Sequence, residues 1–212
     1  MKLYGFPLSP FVRKVAVAAA EKGLDYEWIL SNPNEPTEEF LAVSPFRKIP
    51  GFADGDFKLA DSTAISVYLD AKYPEPPLIP AEPEARGRAI WFEETADSIM
   101  VPAGIGVVFN RFLKPVIFGQ DGDEEAALES ERKLGPVMDY LESQCGGGWL
   151  DGEFSIGDIA VASVIRTMAY GRWEPDSAKY PLTVAWYGRV CARPAWRKVA
   201  EEEAAVFARL GG

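Results

Sequence analysis

The chain has 212 residues, of which 48% are hydrophobic and 25% are charged, the composition of a soluble globular protein with one or two domains. Its formal net charge of -10 argues against nucleic acid and against an anionic membrane as partners, because such binding needs an excess of Lys and Arg. It contains no histidine, and its two cysteines, Cys145 and Cys191, are far apart. Imidazole-based catalysis is therefore excluded, and neither a metal site nor a disulfide framework is indicated.

The N-terminal segment predicts a strand, a helix and a second strand. Residues 2–6 form a short apolar run that ends at Pro7, and residues 10–22 follow with the apolar spacing of one buried helical face. The positions on that face are Val12, Val15, Ala16, Ala19 and Ala20. Residues 26–30 have the composition of a second strand, and so short a strand, helix, strand order favours parallel pairing.

A hairpin and another helix are predicted next. Residues 31–44 are polar, contain proline and hold at most a short helix. Asp54-Gly55 lies between two apolar pieces, 49–53 and 57–60, which is typical of a β-hairpin. Asp61 and Ser62 then begin a helix that ends before Pro74.

A cluster of prolines marks the domain boundary. Five prolines lie between positions 74 and 83, and a stiff, exposed connector of this kind separates compact units. We expect a first domain over residues 1–78 and an all-helical second domain over residues 84–212. The first helix predicted in the second domain runs from 86 to about 112. A second contains Leu134, Val137, Met138 and Leu141 on its inner face and ends at the glycines at 146–148. Two further helices are predicted from 182 to 192 and from 194 to 208.

The strongest local signal in the second domain is a helix start at Ser155. Its hydroxyl can accept a hydrogen bond from the N–H of Asp158 while the Asp158 carboxylate reaches back to the backbone of Ser155. Asp here replaces the usual Glu or Gln of such a capping box. The helix that follows is apolar on most sides, which predicts that it is buried at the centre of the domain.

The apolar segments predict a cytoplasmic protein without a membrane span. The first residues contain no long apolar run and no small-residue cleavage site. The longest apolar stretch, residues 99–109, is about half the length needed to cross a bilayer and contains Pro102.

Four segments together resemble the cytosolic glutathione transferase family: "SPFVRKVAVAAAEKG", "RKIPGF", "ADSTAISVYLDAKYP" and "FSIGDIAVAS". Their order and spacing match the family over nearly the whole chain. The resemblance implies an α+β fold, in which a thioredoxin-like domain of order βαβαββα precedes an all-helical bundle. The "SPF" segment is most similar to the serine-type classes, the tau class in particular.

The resemblance implies an enzyme that conjugates the thiolate of glutathione to a hydrophobic electrophile. Glutathione is then the co-substrate and no metal is expected. The expected partners are a small-molecule electrophile and a second copy of the chain, with no nucleic acid and no membrane. Two alternatives stay open: a binding or scaffold protein that keeps the fold without turnover, and a glutathione-dependent isomerase like the zeta class, whose serine- and cysteine-rich loop is missing here.

Ser9 is the candidate catalytic residue. From its position alone, Ser9 is the N-cap of the first helix, a common structural role. The resemblance implies that its hydroxyl donates to the glutathione sulfur, while the positive end of the helix favours the thiolate. Tyr4 is the rival hydroxyl, since other classes of the family use a tyrosine near the end of the first strand. No cysteine lies near Ser9, so disulfide exchange with a protein thiol is doubtful.

The resemblance also implies a set of glutathione contacts: Phe11, Lys48, Ile49, Pro50, Asp61 and Ser62. A cis bond before Pro50 would turn the backbone of Ile49 towards the cysteinyl part of the tripeptide. Lys48 would contact the glycyl carboxylate, unless it is only a solvated surface charge. Asp61 and Ser62 would hold the γ-glutamyl end, although Asp61 is one methylene shorter than the Glu that is frequent there and also fits a simple helix cap.

A pocket for the second substrate is expected from apolar side chains. We place Tyr4 and Phe109 in it, because ligand pockets are mostly apolar with few polar groups. Packing in the core explains these aromatic residues at least as well.

Overall fold

The computed structural model describes residues 1–150 and 152–210, which form two compact units. The first unit joins Met1–Ile79 to the C-terminal helix, and the second is Pro80–Val190. The sequence assigned everything from 84 to 212 to one helical domain. The structure differs at the C-terminal end, because the last helix packs along the first helix of the chain.

The first unit is built on a sheet of four strands in the order β2-β1-β3-β4. The strands are β1 (Lys2–Gly5), β2 (Glu27–Leu30), β3 (Gly51–Asp54) and β4 (Phe57–Ala60). β1 and β2 are parallel, as predicted, whereas β3 pairs antiparallel with both β1 and β4. In the hairpin Asp54 pairs with Phe57, so a two-residue turn begins at Gly55, whose φ of 60° favours glycine.

Helices accompany this sheet in the order βαβαββα, which confirms the predicted fold class. They are α1 (Pro10–Glu21), α2 (Glu38–Val43) and α3 (Ser62–Lys72), and each begins after a side-chain cap. The caps are Ser9, Thr37 and Asp61, whose side chains accept backbone N–H groups of the first turn. A buried cluster that includes Tyr4, Phe40 and Val43 packs α2 against the sheet.

The C-terminal helix α9 (Pro194–Leu210) completes the first unit. It runs antiparallel to α1, since Arg193 pairs with Glu21 near the end of α1 and Glu203 pairs with Arg13 near its start. Tyr26, between α1 and β2, donates a hydrogen bond of 2.6 Å to Glu202.

The second unit is all-helical. One continuous helix runs from residue 83 to 117 and comprises α4 (Pro83–Glu94), a π-helical stretch (Thr95–Met100), α5 (Val101–Val108) and a second π-helical stretch (Phe109–Ile117). Further helices are α6 (Glu124–Gln144), α7 (Ile156–Tyr170) and α8 (Pro181–Cys191). The wider π turns precede Pro102 and contain Pro115, because proline cannot donate to the ordinary helical ladder.

The helix over residues 83–117 is long and apolar enough, by length and composition, to be a candidate membrane span. Its longest apolar stretch, residues 99–109, is too short to span a bilayer by itself. Core helices of soluble proteins share this length and composition. Phe92, Met100 and Val107 on this helix are buried within the second unit.

The centre of the second unit is α7, as predicted. Ser155 caps it, and the Asp158 carboxylate accepts a hydrogen bond of 3.0 Å from the Ser155 N–H, which completes the capping box. Asp158 also accepts from Leu150 N at 3.0 Å and from Trp186 Nε1 at 2.7 Å. The carboxylate therefore ties the start of α7 to the preceding loop and to α8.

Candidate active site

Three loops of the first unit leave the sheet at the same edge. Tyr4 of β1 pairs with Gly51 of β3, and Gly51 pairs with Ala60 of β4. The chain after β1, the chain before β3 and the chain after β4 therefore emerge side by side, with neighbouring strands about 4.8 Å apart. They carry Ser9, Pro50 and Ser62 respectively, so residues that lie far apart in the sequence meet at one edge.

Gly5 lies where α1 and the loop before Pro50 approach each other closely. A Cβ atom on Gly5 would lie 2.4 Å from Cγ2 of Val12 and 3.4 Å from Cβ of Ile49. Real Cβ atoms do not tolerate the first distance, so only glycine fits between α1 and the loop before Pro50.

Ser9 lies at the N-cap of α1 and is half-buried. Its Oγ accepts a hydrogen bond of 3.4 Å from the Val12 N–H, and its own N–H donates to the Phe6 carbonyl at 3.0 Å. Because the oxygen acts as an acceptor in the cap, the hydroxyl proton can be donated to an anion. The structural role and the catalytic role of Ser9 are therefore compatible.

Arg13 stabilises the loop that carries Ser9 by a hydrogen bond to its backbone. The guanidinium donates through Nη2 to the Pro7 carbonyl at 3.0 Å and through Nε to Oε1 of Glu203. Both charged side chains are at most 2% exposed. Pro7 thus has a fixed carbonyl two residues before Ser9.

The loop before β3 has a cis peptide bond between Ile49 and Pro50, as predicted. Pro50 is buried, Ile49 is half-buried, and Lys48 is exposed with its side chain available to solvent. This places the Ile49 backbone next to the edge of β1 from which the Ser9 loop departs.

Ser44 is a residue of this loop that sequence reasoning missed. Its hydroxyl donates to the Lys48 carbonyl at 2.6 Å and accepts from the Lys48 N–H at 3.0 Å, and the residue is fully buried. Between them the chain turns through Arg47, whose φ is 56°. The signal in the sequence is only a serine at the end of α2, which fits a helix end equally well.

The start of α3 provides the third piece. Asp61 caps the helix by accepting the Ala64 N–H at 3.0 Å, and Ser62 is 3% exposed at the first helical position. The φ of Asp61 is 86°, a conformation that costs a non-glycine residue about 1–3 kcal/mol and that clusters at functional sites. The cap alone does not need this conformation, because N-cap residues typically have extended φ and ψ angles.

Tyr4 lies elsewhere than predicted. Its side chain is 2% exposed in the core of the first unit, and its hydroxyl donates to Oε1 of Glu39 at 2.8 Å. Burial and this hydrogen bond raise the pKa of Tyr4, while Lys2 and Tyr4 lower the pKa of Glu39. Packing therefore accounts for Tyr4, and its position supports neither a role in a substrate pocket nor one at the sulfur.

The remaining predicted residues lie as follows. Phe11 is half-buried in the first turn of α1, with Nζ of Lys14 at 6.0 Å from its ring centroid. Phe109 belongs to the second unit, is 41% exposed and contacts the ring of Phe118 edge to face at 6.4 Å. Cys145 is buried, which raises the pKa of its thiol to about 11 and makes it a poor nucleophile at neutral pH.

Comparison with known proteins places the chain in a family. The family models for the N-terminal and C-terminal domains of glutathione S-transferase match residues 3–77 and 97–194. A glutathione S-transferase from Hyoscyamus muticus is 31% identical over 209 residues, covering 95% of this chain and 98% of the relative. The tau-like detail of the "SPF" segment stays a prediction.

Solved structures agree with the sequence comparison. A glutathione S-transferase from Rhodospirillum rubrum superposes with a TM-score of 0.86 at 28% identity, covering 93% of this chain and 90% of the other. A glutathione S-transferase-I bound with lactoylglutathione superposes with a TM-score of 0.83 at 27% identity, covering 94% and 98%. With the domain matches and the converging loops, these findings show that the chain belongs to the glutathione S-transferase family and is an enzyme of that family.

Proposed function

We propose that this enzyme uses Ser9 to activate the thiol of glutathione and transfers the thiolate to a hydrophobic electrophile. The observation that carries the proposal is the register across Tyr4, Gly51 and Ala60, which brings three loops to one edge of the sheet. Further support comes from the solved relative that holds lactoylglutathione, a glutathione derivative.

Ser9 and the end of α1 supply the chemistry. A free thiol titrates at about 8.5, so a group that stabilises the thiolate is needed near neutral pH. The Ser9 O–H donates a hydrogen bond to the sulfur, and the positive end of α1 adds to the stabilisation. The thiol proton leaves to solvent, the thiolate attacks the electrophilic carbon, a C–S bond forms, and the leaving group departs with its electron pair.

The other two loops hold the tripeptide. The backbone of Ile49 pairs with the cysteinyl part, in the manner of a short strand. Lys48 reaches the glycyl carboxylate as an exposed cation, and Asp61 and Ser62 hold the γ-glutamyl end at the start of α3. Positioning of this kind removes much of the entropic cost of bringing thiol and electrophile together.

For the electrophile we propose contact with apolar side chains of the second unit. Phe109 is the candidate, and Ile105 one turn earlier is also exposed, at 37%. Tyr4 is no longer a candidate, since it is buried in the first unit. We place the enzyme in the cytoplasm, with detoxification of electrophiles as the role that such chemistry would serve.

One experiment separates the enzyme from a binding protein without turnover. The purified protein is passed over immobilised glutathione, and conjugation of a chloro-nitroaromatic compound is then measured. We expect retention on the resin and turnover that saturates with glutathione. Retention without turnover would contradict the proposed reaction and favour the binding protein, and turnover of an isomerisable substrate without conjugation would favour an isomerase.

We also propose that the enzyme is a homodimer, the usual assembly in this family. Phe46, in the loop before Pro50, is 85% exposed, the highest exposure among the large apolar side chains that the structure describes. A second copy of the chain that covers Phe46 would remove this apolar area from water.

Replacing Phe46 by serine should therefore weaken the dimer. An aromatic anchor at the centre of an interface contributes about 2 kcal/mol or more, so the dissociation constant should rise by about 30-fold. Sedimentation measures the constant directly, and Phe118→Ser serves as the control, since Phe118 is 48% exposed in the second unit. A monomeric wild type, or equal weakening by both variants, would contradict the role of Phe46.

A further inference from the structure

The C-terminal helix reaches the catalytic loop through two contacts. α9 is joined to α1 and to the residues that follow it by several polar contacts, but most of them lie at the far end of α1. Glu203 and Phe207 are different, because they contact residues at its start. Glu203 pairs with Arg13, and the ring of Phe207 meets the ring of Phe6 edge to face at 5.7 Å.

These two contacts converge on the segment that precedes Ser9. Phe6 accepts the Ser9 N–H through its carbonyl at 3.0 Å, and Pro7 accepts Arg13 Nη2 through its carbonyl at 3.0 Å. At Phe6 the loop contacts the ring of Phe207, which belongs to α9. At Pro7 it accepts from the guanidinium of Arg13, which Glu203 of α9 holds. Movement of either residue would shift the Ser9 hydroxyl.

We propose that Glu203 is a positioning residue for catalysis, which acts through Arg13 and the Pro7 carbonyl to fix the Ser9 loop. The inference rests on the proposed role of Ser9. Glu203 itself touches no reacting atom. Its function is to hold the Arg13 guanidinium by its Nε edge so that Nη2 points at the Pro7 carbonyl.

Arginine suits this position because it offers several donors in a rigid plane. Nη2 carries two protons, one parallel to the Nε–H and one directed away from it, so one side chain can connect a carboxylate on α9 with a carbonyl in the loop. Lysine has one nitrogen on a flexible stem and cannot hold the two acceptors in the same geometry. The ion pair is also almost fully buried, and replacing such pairs by apolar residues is frequently neutral for stability.

The test compares variants by a property of the active site. The apparent pKa of the thiol of bound glutathione is measured from the ultraviolet absorbance of the thiolate, together with kcat, the KM for glutathione and the melting temperature. For Glu203→Ala we expect the thiol pKa to rise by about one unit and kcat to fall about tenfold, with little change in KM. Glu203→Gln keeps an acceptor for Arg13 Nε and should recover most of kcat.

Glu203→Ala leaves the Arg13 charge buried, so a second variant covers the case of misfolding. The double variant Arg13→Met with Glu203→Leu removes both charges and should fold with near wild-type stability. It still lacks the donor to Pro7, so the same rise in thiol pKa and the same loss in kcat are expected. A merely structural ion pair predicts normal catalysis in this double variant.

Arg193→Gln is the matched control. It removes the ion pair of 2.6 Å between Arg193, the residue before α9, and Glu21 at the far end of α1. It should lower the melting temperature while leaving kcat and the thiol pKa as in the wild type. Equal catalytic losses in Arg193→Gln, or wild-type thiol pKa and kcat in the folded double variant, would overturn the inference. Wild-type kcat in Ser9→Ala would instead overturn the proposed role of Ser9, and the two failures are thus distinguishable.

Discussion

Replacing Ser9 by alanine is expected to lower kcat/KM for conjugation by about 10²-fold or more, the effect of losing one donor to a developing anion. The variant keeps the start of α3 and the loop before Pro50, so glutathione should still bind. The loss should therefore appear mainly in kcat. It should also be largest at neutral pH and shrink at alkaline pH, where the thiol ionises without help.

Two further variants separate catalysis by Ser9 from its role as a cap. Ser9→Thr keeps both the hydroxyl and the cap and should retain most of the activity. Tyr4→Phe loses only the hydrogen bond to Glu39 and should be close to the wild type in kcat. If Tyr4→Phe instead loses about 10²-fold in kcat/KM, the loss expected for Ser9→Ala, the hydroxyl at the sulfur belongs to Tyr4. That result would contradict the assignment.

Asp158→Ala should cause the largest loss of stability. The carboxylate is fully buried and accepts hydrogen bonds from the backbone of Leu150 and Ser155 and from Trp186 Nε1. Alanine leaves these three buried N–H groups without their acceptor, and each costs about 1–3 kcal/mol. We expect the free energy of unfolding to fall by about 3–5 kcal/mol, a large part of the total for a protein of this size.

The unfolding midpoint in urea measures this effect. Asp139→Ala is the control, because Asp139 also accepts two side-chain hydrogen bonds but is exposed. Its loss should lie within about 1 kcal/mol, as is usual for exposed pairs. If Asp158→Ala unfolds at the same urea concentration as Asp139→Ala, the carboxylate does not join α7, α8 and the loop before them in the way described.

Local signals in the sequence predicted much of the fold. The capping box at Ser155, the turn at Asp54-Gly55 and the helix start at Ser9 depend on residues within a few positions of one another, and the structure contains all three. The parallel pairing of β1 with β2 followed from the short connection between them. Such features are predictable because the interacting atoms are close along the chain.

Several contributions that the sequence did not predict come from residues that are distant along the chain. Residues 194–208 show helical periodicity, but periodicity does not say which surface the helix covers. The pairing of Glu203 with Arg13 spans 190 residues, and its consequence is that α9 belongs to the first unit. The burial of Tyr4 is similar, since its partner Glu39 lies on a short helix whose packing the composition did not reveal.

The proline-containing helix over residues 83–117 shows another limit. The sequence predicts a helix from 86 to about 112, whereas the structure extends it over residues 83–117 through π-helical stretches that precede Pro102 and contain Pro115. Ser44 was missed because a serine at a helix end has several ordinary explanations, and only the folded loop shows its two bonds to the Lys48 backbone.

The most direct test of the central claim is a crystal structure with glutathione bound. The account predicts the Ser9 Oγ within about 3.5 Å of the sulfur, the tripeptide paired with the Ile49 backbone, and the γ-glutamyl end at Ser62. The account is contradicted if the hydroxyl nearest to the sulfur belongs to a residue other than Ser9. It is also contradicted if the tripeptide binds away from the edge of the sheet shared by Ser9, Pro50 and Ser62.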